Sequence, residues 1–148
     1  MSINAGMRGL LENGIPFAAR TEIKVLKLDR EKIELLMPLT PNINHIGIMY
    51  AGALFTLGEM MGGAVALVYL FEHSLIPIVK SFSIKFVKPG TTDITTSYAM
   101  PAEEVKRIIA ECEEKGKADY SIQLELKDKT GLVVAVTDGL YQVRPQKK

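Results

Sequence analysis

The chain has 148 residues and a formal net charge of +1, with 47% hydrophobic and 24% charged residues. That length is one ordinary domain, and that apolar share supplies a real core. Near-neutrality excludes both a basic nucleic-acid surface and an acidic solvating tail.

The opening residues, Met1-Ser2-Ile3-Asn4-Ala5-Gly6, lack a basic segment followed by an apolar one, so no signal peptide is expected. Ser2 to about Asn13 reads as a short helix stopped by Asn13-Gly14, and Pro16 is expected to break the chain. Thr21 to Leu28 and Lys32 to Met37 read as two strands of a hairpin turned at Asp29-Arg30-Glu31. Thr40 to His45 is a polar loop. A very apolar helix is expected from about Ala51 to Phe71, ended by His73-Ser74 and Pro77.

Ile78 to Lys88 reads as a strand with Phe82, Ile84 and Phe86 on one face and Ser81, Ser83 and Lys85 on the other. Pro89-Gly90 turns the chain into a strand over Asp93 to Ala99. Pro101 opens a charged helix that Gly116 caps. Cys112, the single cysteine, sits in it among Glu111, Glu113 and Glu114. Those carboxylates raise a thiol pKa, so it reads as a plain structural or surface residue, and its solitude suits a reducing cytoplasm, the expected location. Ala118 to Leu126 and Leu132 to Val143 complete the set as strands joined at Asp128-Lys129-Thr130-Gly131.

The order predicts one α+β domain over residues 1–148, an antiparallel sheet of about six strands wrapped around one apolar helix. Ile46 to Phe71 is long enough to span a bilayer, but Glu59 lies near its middle, and a central carboxylate costs about 2.5–3.5 kcal/mol on insertion scales. A helix buried by its own protein, with no membrane span, is the better reading.

Glu59 is the residue that asks for a role, because a carboxylate among apolar neighbours is expensive, and burial makes it a stronger base. The helix entry, Asn44 to Gly52, offers a second feature. Free backbone N–H groups and the positive dipole end there can hold a developing oxyanion. Ala51 and Gly52 are small enough for a carbonyl to approach, and Asn44 offers a side-chain amide. Ala51 and Glu59 are eight residues apart, about 12 Å along one helix, whereas base and oxyanion donor must both lie about 3 Å from the reacting centre. One helix cannot supply both groups to one site, but two helices of a symmetric dimer can.

Asn44-x-x-Gly47-x-x-Tyr50-Ala51-Gly52-x-x-x-x-Leu57-Gly58-Glu59 resembles the signature of hotdog-fold thioesterases of the phenylacetyl-CoA thioesterase type, closest to their less characterised branches. The resemblance continues at Phe86-Val87-Lys88-Pro89-Gly90, at Glu114-Lys115-Gly116-Lys117 and at Asp128 to Ala135. It implies hydrolysis of an acyl-CoA thioester, with Glu59 as general base or nucleophile, Asn44 placing water or thioester, and the Ala51 N–H polarising the carbonyl. It implies a homodimer, or a tetramer built from two dimers, and no cofactor. The family His is here Tyr50, and the first Gly of its pair is Ala51.

Tyr50, Gly52 and His45 are candidate substrate contacts around the loop. The family sets a Ser or Thr near the acid, where this chain has Gly62 and Gly63, so Ser81 or Ser83 is the nearest substitute. Lys85, Lys88, Lys106, Arg107 and Lys117 are the candidate cations for coenzyme A phosphates. The departures at Tyr50 and Ala51 leave a non-catalytic acyl- or lipid-binding hotdog protein as the alternative. A hotdog hydratase is disfavoured, since no suitably spaced Asp precedes His45.

Overall fold

The computed structural model describes residues 2–147. Helix α1 (Ser2–Asn13) is followed by a single helical turn, α2 (Pro16–Ala19). Pro16 therefore opens a turn rather than only breaking the chain, because a fixed φ and a missing N–H suit the first helical position. Strands β1 (Lys24–Leu28) and β2 (Ile33–Met37) form the expected hairpin. β1 begins three residues later than the apolar pattern suggests. Thr21 donates its hydroxyl to the Ala18 carbonyl at 2.6 Å and Glu22 adopts a left-handed φ of 61°, which prolongs the turn.

The central helix α3 runs over Ala51–Val65, widens into π-type turns over Ala66–Leu70, and closes with a 3-10 turn, Phe71–His73. Ser74, at φ 59°, stops it. Pro77 does not: it lies inside strand β3 (Leu75–Phe86), and β3 is an edge strand, where a missing N–H is tolerated. Then come β4 (Ile94–Tyr98), helix α4 (Ala102–Lys115) with Gly116 at φ 78° as its cap, β5 (Ala118–Lys127) and β6 (Val133–Pro145).

The six strands form one antiparallel sheet in the order β1-β2-β4-β5-β6-β3. Along β5, Tyr120, Ile122, Leu124 and Leu126 are buried, while Ser121, Gln123 and Glu125 are exposed. A period of two with one buried face fixes the register and aims that face at α3. From the helix, Leu57, Met61, Ala64, Val65 and Leu70 are buried against it. This is the hotdog fold: a sheet wrapped around a core helix. Ala51–His73 is long and apolar enough to cross a membrane, yet 67% of its most apolar stretch is buried within the fold. The sheet explains its composition.

Candidate active site

Two faces of α3 are built differently. Toward the sheet the packing is closest at glycine. A Cβ on Gly58 would sit 2.7 Å from Thr137 Cγ2, and one on Gly62 would sit 2.0 Å from Tyr141 Cε1. Tyr141 stacks on Tyr120, with ring centroids 5.4 Å apart. Their hydroxyls bond back to the helix: Tyr141 donates to the Glu59 carbonyl at 3.2 Å and Tyr120 to the Gly62 carbonyl at 3.4 Å. The tyrosine pair thus grips the turn that carries the acid. Burial, and then the Glu59 charge, push the Tyr141 phenol well above its usual pKa.

On the other face Glu59 is half-buried. Its side chain lines an apolar cavity of about 310 Å³ bounded by Leu10 and Leu11 of α1, Ile15, Met60, Gly63 and Leu67. Phe71, Leu75, Ile76 and Pro77 also line it. Burial raises the Glu59 pKa, and no neighbouring charge or hydrogen bond contributes to that shift. A carboxylate so placed is held toward neutrality and is a competent general base.

The helix entry opens elsewhere, into a second cleft of about 330 Å³ lined by Asn44, Ala51, Leu54, Phe86 and Lys88. The two cavities have no residue in common. Asn44 Oδ1 accepts from the N–H groups of Ile46 and Ile48 at 3.0 and 3.2 Å, and the Gly47 N–H donates to the Asn44 carbonyl at 3.1 Å. These bonds fold the loop through Gly47, whose φ of 84° suits glycine. Tyr50 precedes the first turn in extended geometry, and its carbonyl accepts from Ala53 and Leu54. The Ala51 and Gly52 N–H groups, ahead of that first bond, are the free donors of a helix start. The exposed Tyr50 ring folds back over Gly52, where a Cβ would lie 2.5 Å from it. His45 is exposed on the same loop.

Two groups of sequence candidates need correction. Ser81, Ser83 and Lys85 pair with Leu140, Asp138 and Val136 on the sheet face turned away from α3, while Phe82 packs toward Gly58. Ser83 and Lys85 line a groove on that outer face, so neither serine can support the Glu59 of its own chain. Lys85 likewise lies away from both cavities beside α3. Arg107 is already engaged, donating to Glu104, to Glu111 and to the Asp119 carbonyl. It shares α4 with Lys106. That helix packs on β5, β6 and the π-type turns of α3, at the end of the sheet opposite Ala51, and Lys117 follows it into β5. Lys88 alone of these cations lines the Ala51 cleft. Cys112 is buried, its thiol pushed up by burial and by Glu111, as suits a structural residue. The contributions of α1 and Tyr141 were missed. Both are long-range contacts that no local motif announces.

A core helix bearing one desolvated acid, wrapped by an antiparallel sheet, defines a hotdog protein of thioesterase type. The chain belongs to the family described as "Putative thioesterase (yiiD_Cterm)", whose model matches residues 5–145. It is similar to the crystal structure of a Pseudomonas aeruginosa protein of unknown function, a "Probable Thioesterase", at 40% identity and a TM-score of 0.91, covering 97% of this chain and 96% of that one. A structure described as "the putative thioesterase from Shewanella oneidensis" matches at 21% identity and a TM-score of 0.79, covering 98% of this chain and 99% of that one. A Streptococcus pneumoniae structure described as a "Hypothetical Thioesterase Protein with Coenzyme A" matches at 15% identity and a TM-score of 0.62, covering 88% of this chain and 92% of that one. No curated protein matches the chain.

Proposed function

We propose that the protein is a cytoplasmic acyl-CoA thioesterase whose active site is shared between two copies. The observation that carries this reading is that Glu59 and the Ala51 N–H open into separate cavities of one chain, about 12 Å apart along α3. A second copy supplies the missing half of each site. Among the described residues nothing pairs with the outer edge of β3, which presents Ile76, Ile78, Val79 and Phe86, each 43–52% exposed. A long apolar strand edge is where another copy of the same strand pairs.

In the shared site Glu59 takes a proton from water. The oxygen adds to the thioester carbon, and the resulting oxyanion is held by the partner copy's helix start. The C–S bond then breaks, and Glu59 returns the proton to the leaving thiolate, giving a carboxylic acid and a free thiol. The neighbour with bound coenzyme A supports that molecule as the thiol half, and Lys88 beside Ala51 supplies a cation for its phosphates.

The test uses two crippled chains. Glu59→Gln removes the base. Ala51→Pro removes the donor while suiting the first helical position, and Tyr50 at φ −61°, ψ 137° accepts a following proline. Each variant alone is expected to lose at least a hundredfold in kcat/KM on acyl-CoA substrates, since a lost oxyanion donor costs about 10²–10³. Refolded together, they form mixed dimers in which one site is intact, and activity returns. Continued inactivity of the mixture would reject the shared site. Full activity of Glu59→Gln would reject the base. Saturable binding without turnover across all acyl-CoAs would favour the acyl-binding alternative that Tyr50 motivates.

A further inference from the structure

We infer that the cavity beside Glu59 receives a straight, medium-length acyl chain, and that its length limit is set by α1 and by the missing side chain at Gly63. The inference rests on the thioesterase reading above and specifies its substrate.

Glu59, Gly63, Ala66 and Leu67 are spaced four, seven and eight residues apart from the acid, so they form one stripe along α3. All four line the cavity, which therefore starts at the carboxylate and runs along the helix toward Phe71. An acyl chain whose carbonyl sits at Glu59 has this trough as its continuation.

The trough exists because Gly63 leaves it open. A Cβ built at Gly63 meets nothing within 4 Å, whereas one at its neighbour Gly62 strikes the Tyr141 ring. Gly62 is small because the sheet is too near. Gly63 has no such neighbour, and its absent side chain is space.

Helix α1 roofs the trough with Leu10 and Leu11. It is pinned across the open side of the wrapped sheet by two polar side chains that mimic a neighbouring strand. The Val25 N–H donates to the Glu12 carboxylate at 2.8 Å, and the Arg8 guanidinium donates to the Val25 carbonyl. These bonds satisfy edge strand β1 and fix the roof.

The lining is apolar apart from Glu59, which rejects a polar or charged acyl group. The trough is open along one side, where Leu10, Ile15, Phe71 and Ile76 are exposed. Its sheltered volume of about 310 Å³ takes about ten groups of water or methylene size at about 30 Å³ each, so contact is gained over about the first eight to ten carbons of a chain.

The test is a series of straight-chain acyl-CoAs from butyryl to palmitoyl, with benzoyl-CoA as the bulky comparison, on the full chain and on two variants. Wild type is expected to peak near octanoyl or decanoyl. Gly63→Leu fills the trough and is expected to lower the decanoyl-to-butyryl ratio of kcat/KM at least tenfold. Leu10→Ala thins the roof and is expected to move the peak toward longer chains. Thermal melts confirm that both variants are folded. Glu59-dependent hydrolysis with a chain-length profile unmoved by either variant would overturn the pocket while leaving the thioesterase standing. If no acyl-CoA is hydrolysed at any length, the thioesterase reading fails, and decanoate binding by calorimetry decides the pocket. Saturable binding abolished by Gly63→Leu would keep it, and its absence would discard it.

Discussion

Gly62 and Gly63 are adjacent, share one helix, and are glycine for opposite reasons. At Gly62 the helix touches the sheet, and a Cβ would overlap Tyr141 Cε1 at 2.0 Å. At Gly63 the helix faces a cavity, and a Cβ would meet nothing within 4 Å. The contrast extends along α3. One face is locked by Gly58, Gly62 and the hydroxyls of Tyr120 and Tyr141; the other carries Glu59 over hollow space. A rigid back holding a half-buried acid toward an open front is what a preorganised catalytic group requires.

The sharpest way to break this comparison is Gly62→Ala. Tyr141 cannot swing aside, because it is buried and stacked on Tyr120. Overpacking of this kind typically costs about 1–3 kcal/mol, so a fall in the melting temperature is expected. Since the crowded ring also carries the hydroxyl that bonds the Glu59 carbonyl, activity is expected to fall with it. An unchanged melting temperature would mean that the helix and sheet are not in the contact described.

The front face is tested by pH. Burial raises the Glu59 pKa, and as the proposed base it works only when deprotonated. The acid limb of kcat/KM is therefore expected above the ordinary glutamate value of about 4.3. Stability runs the other way. The folded pKa exceeds the unfolded one, so between them the folded state binds more protons and loses stability as pH rises. Glu59→Gln escapes that loss, and its urea midpoint is expected to exceed that of wild type at neutral pH and to converge with it in acid. A wild type insensitive to this substitution at every pH would place the carboxylate in open water.

Tyr141→Phe joins the two faces. It removes one hydroxyl hydrogen bond to the Glu59 carbonyl, at an expected cost of about 0.5–1.5 kcal/mol. Tyr141 is a positioning residue, so a stability loss alone would not establish its role. kcat is expected to fall with KM little changed, because the bond to the Glu59 carbonyl sets the turn that aims the carboxylate. A kcat that stays in place while stability falls would reduce Tyr141 to packing.

Much of this was legible in the residues. Alternation gave β5 and the inner face of β3, and the lone Glu59 in an apolar run pointed to both the core helix and its acid. The eight-residue gap from Ala51 foretold that one chain would not bring them together. The outer-face position of Ser81 and Ser83 was also written in the alternation with Phe82, yet chemistry alone suggested them as support for the acid. What local pattern could not carry was long-range. Tyr141 lies 82 residues from the carbonyl it bonds, and α1 reaches its anchor at Val25 over 13 residues from Glu12. Nor does sequence distinguish a glycine that admits a neighbour from one that leaves a void.

That last distinction yields the smallest and cleanest effect. Gly63→Ala adds one methyl group to a helix interior where nothing obstructs it. Alanine exceeds glycine in helix stability by about 0.5–1 kcal/mol, through the backbone entropy glycine must lose. The substitution is expected to raise the melting temperature by a few degrees, the opposite sign to Gly62→Ala one residue earlier. The methyl group also takes a little of the trough, so the longest acyl chains are expected to lose ground first. If Gly63→Ala instead destabilises as Gly62→Ala does, both faces of α3 are packed, and the space assigned to the substrate is not there.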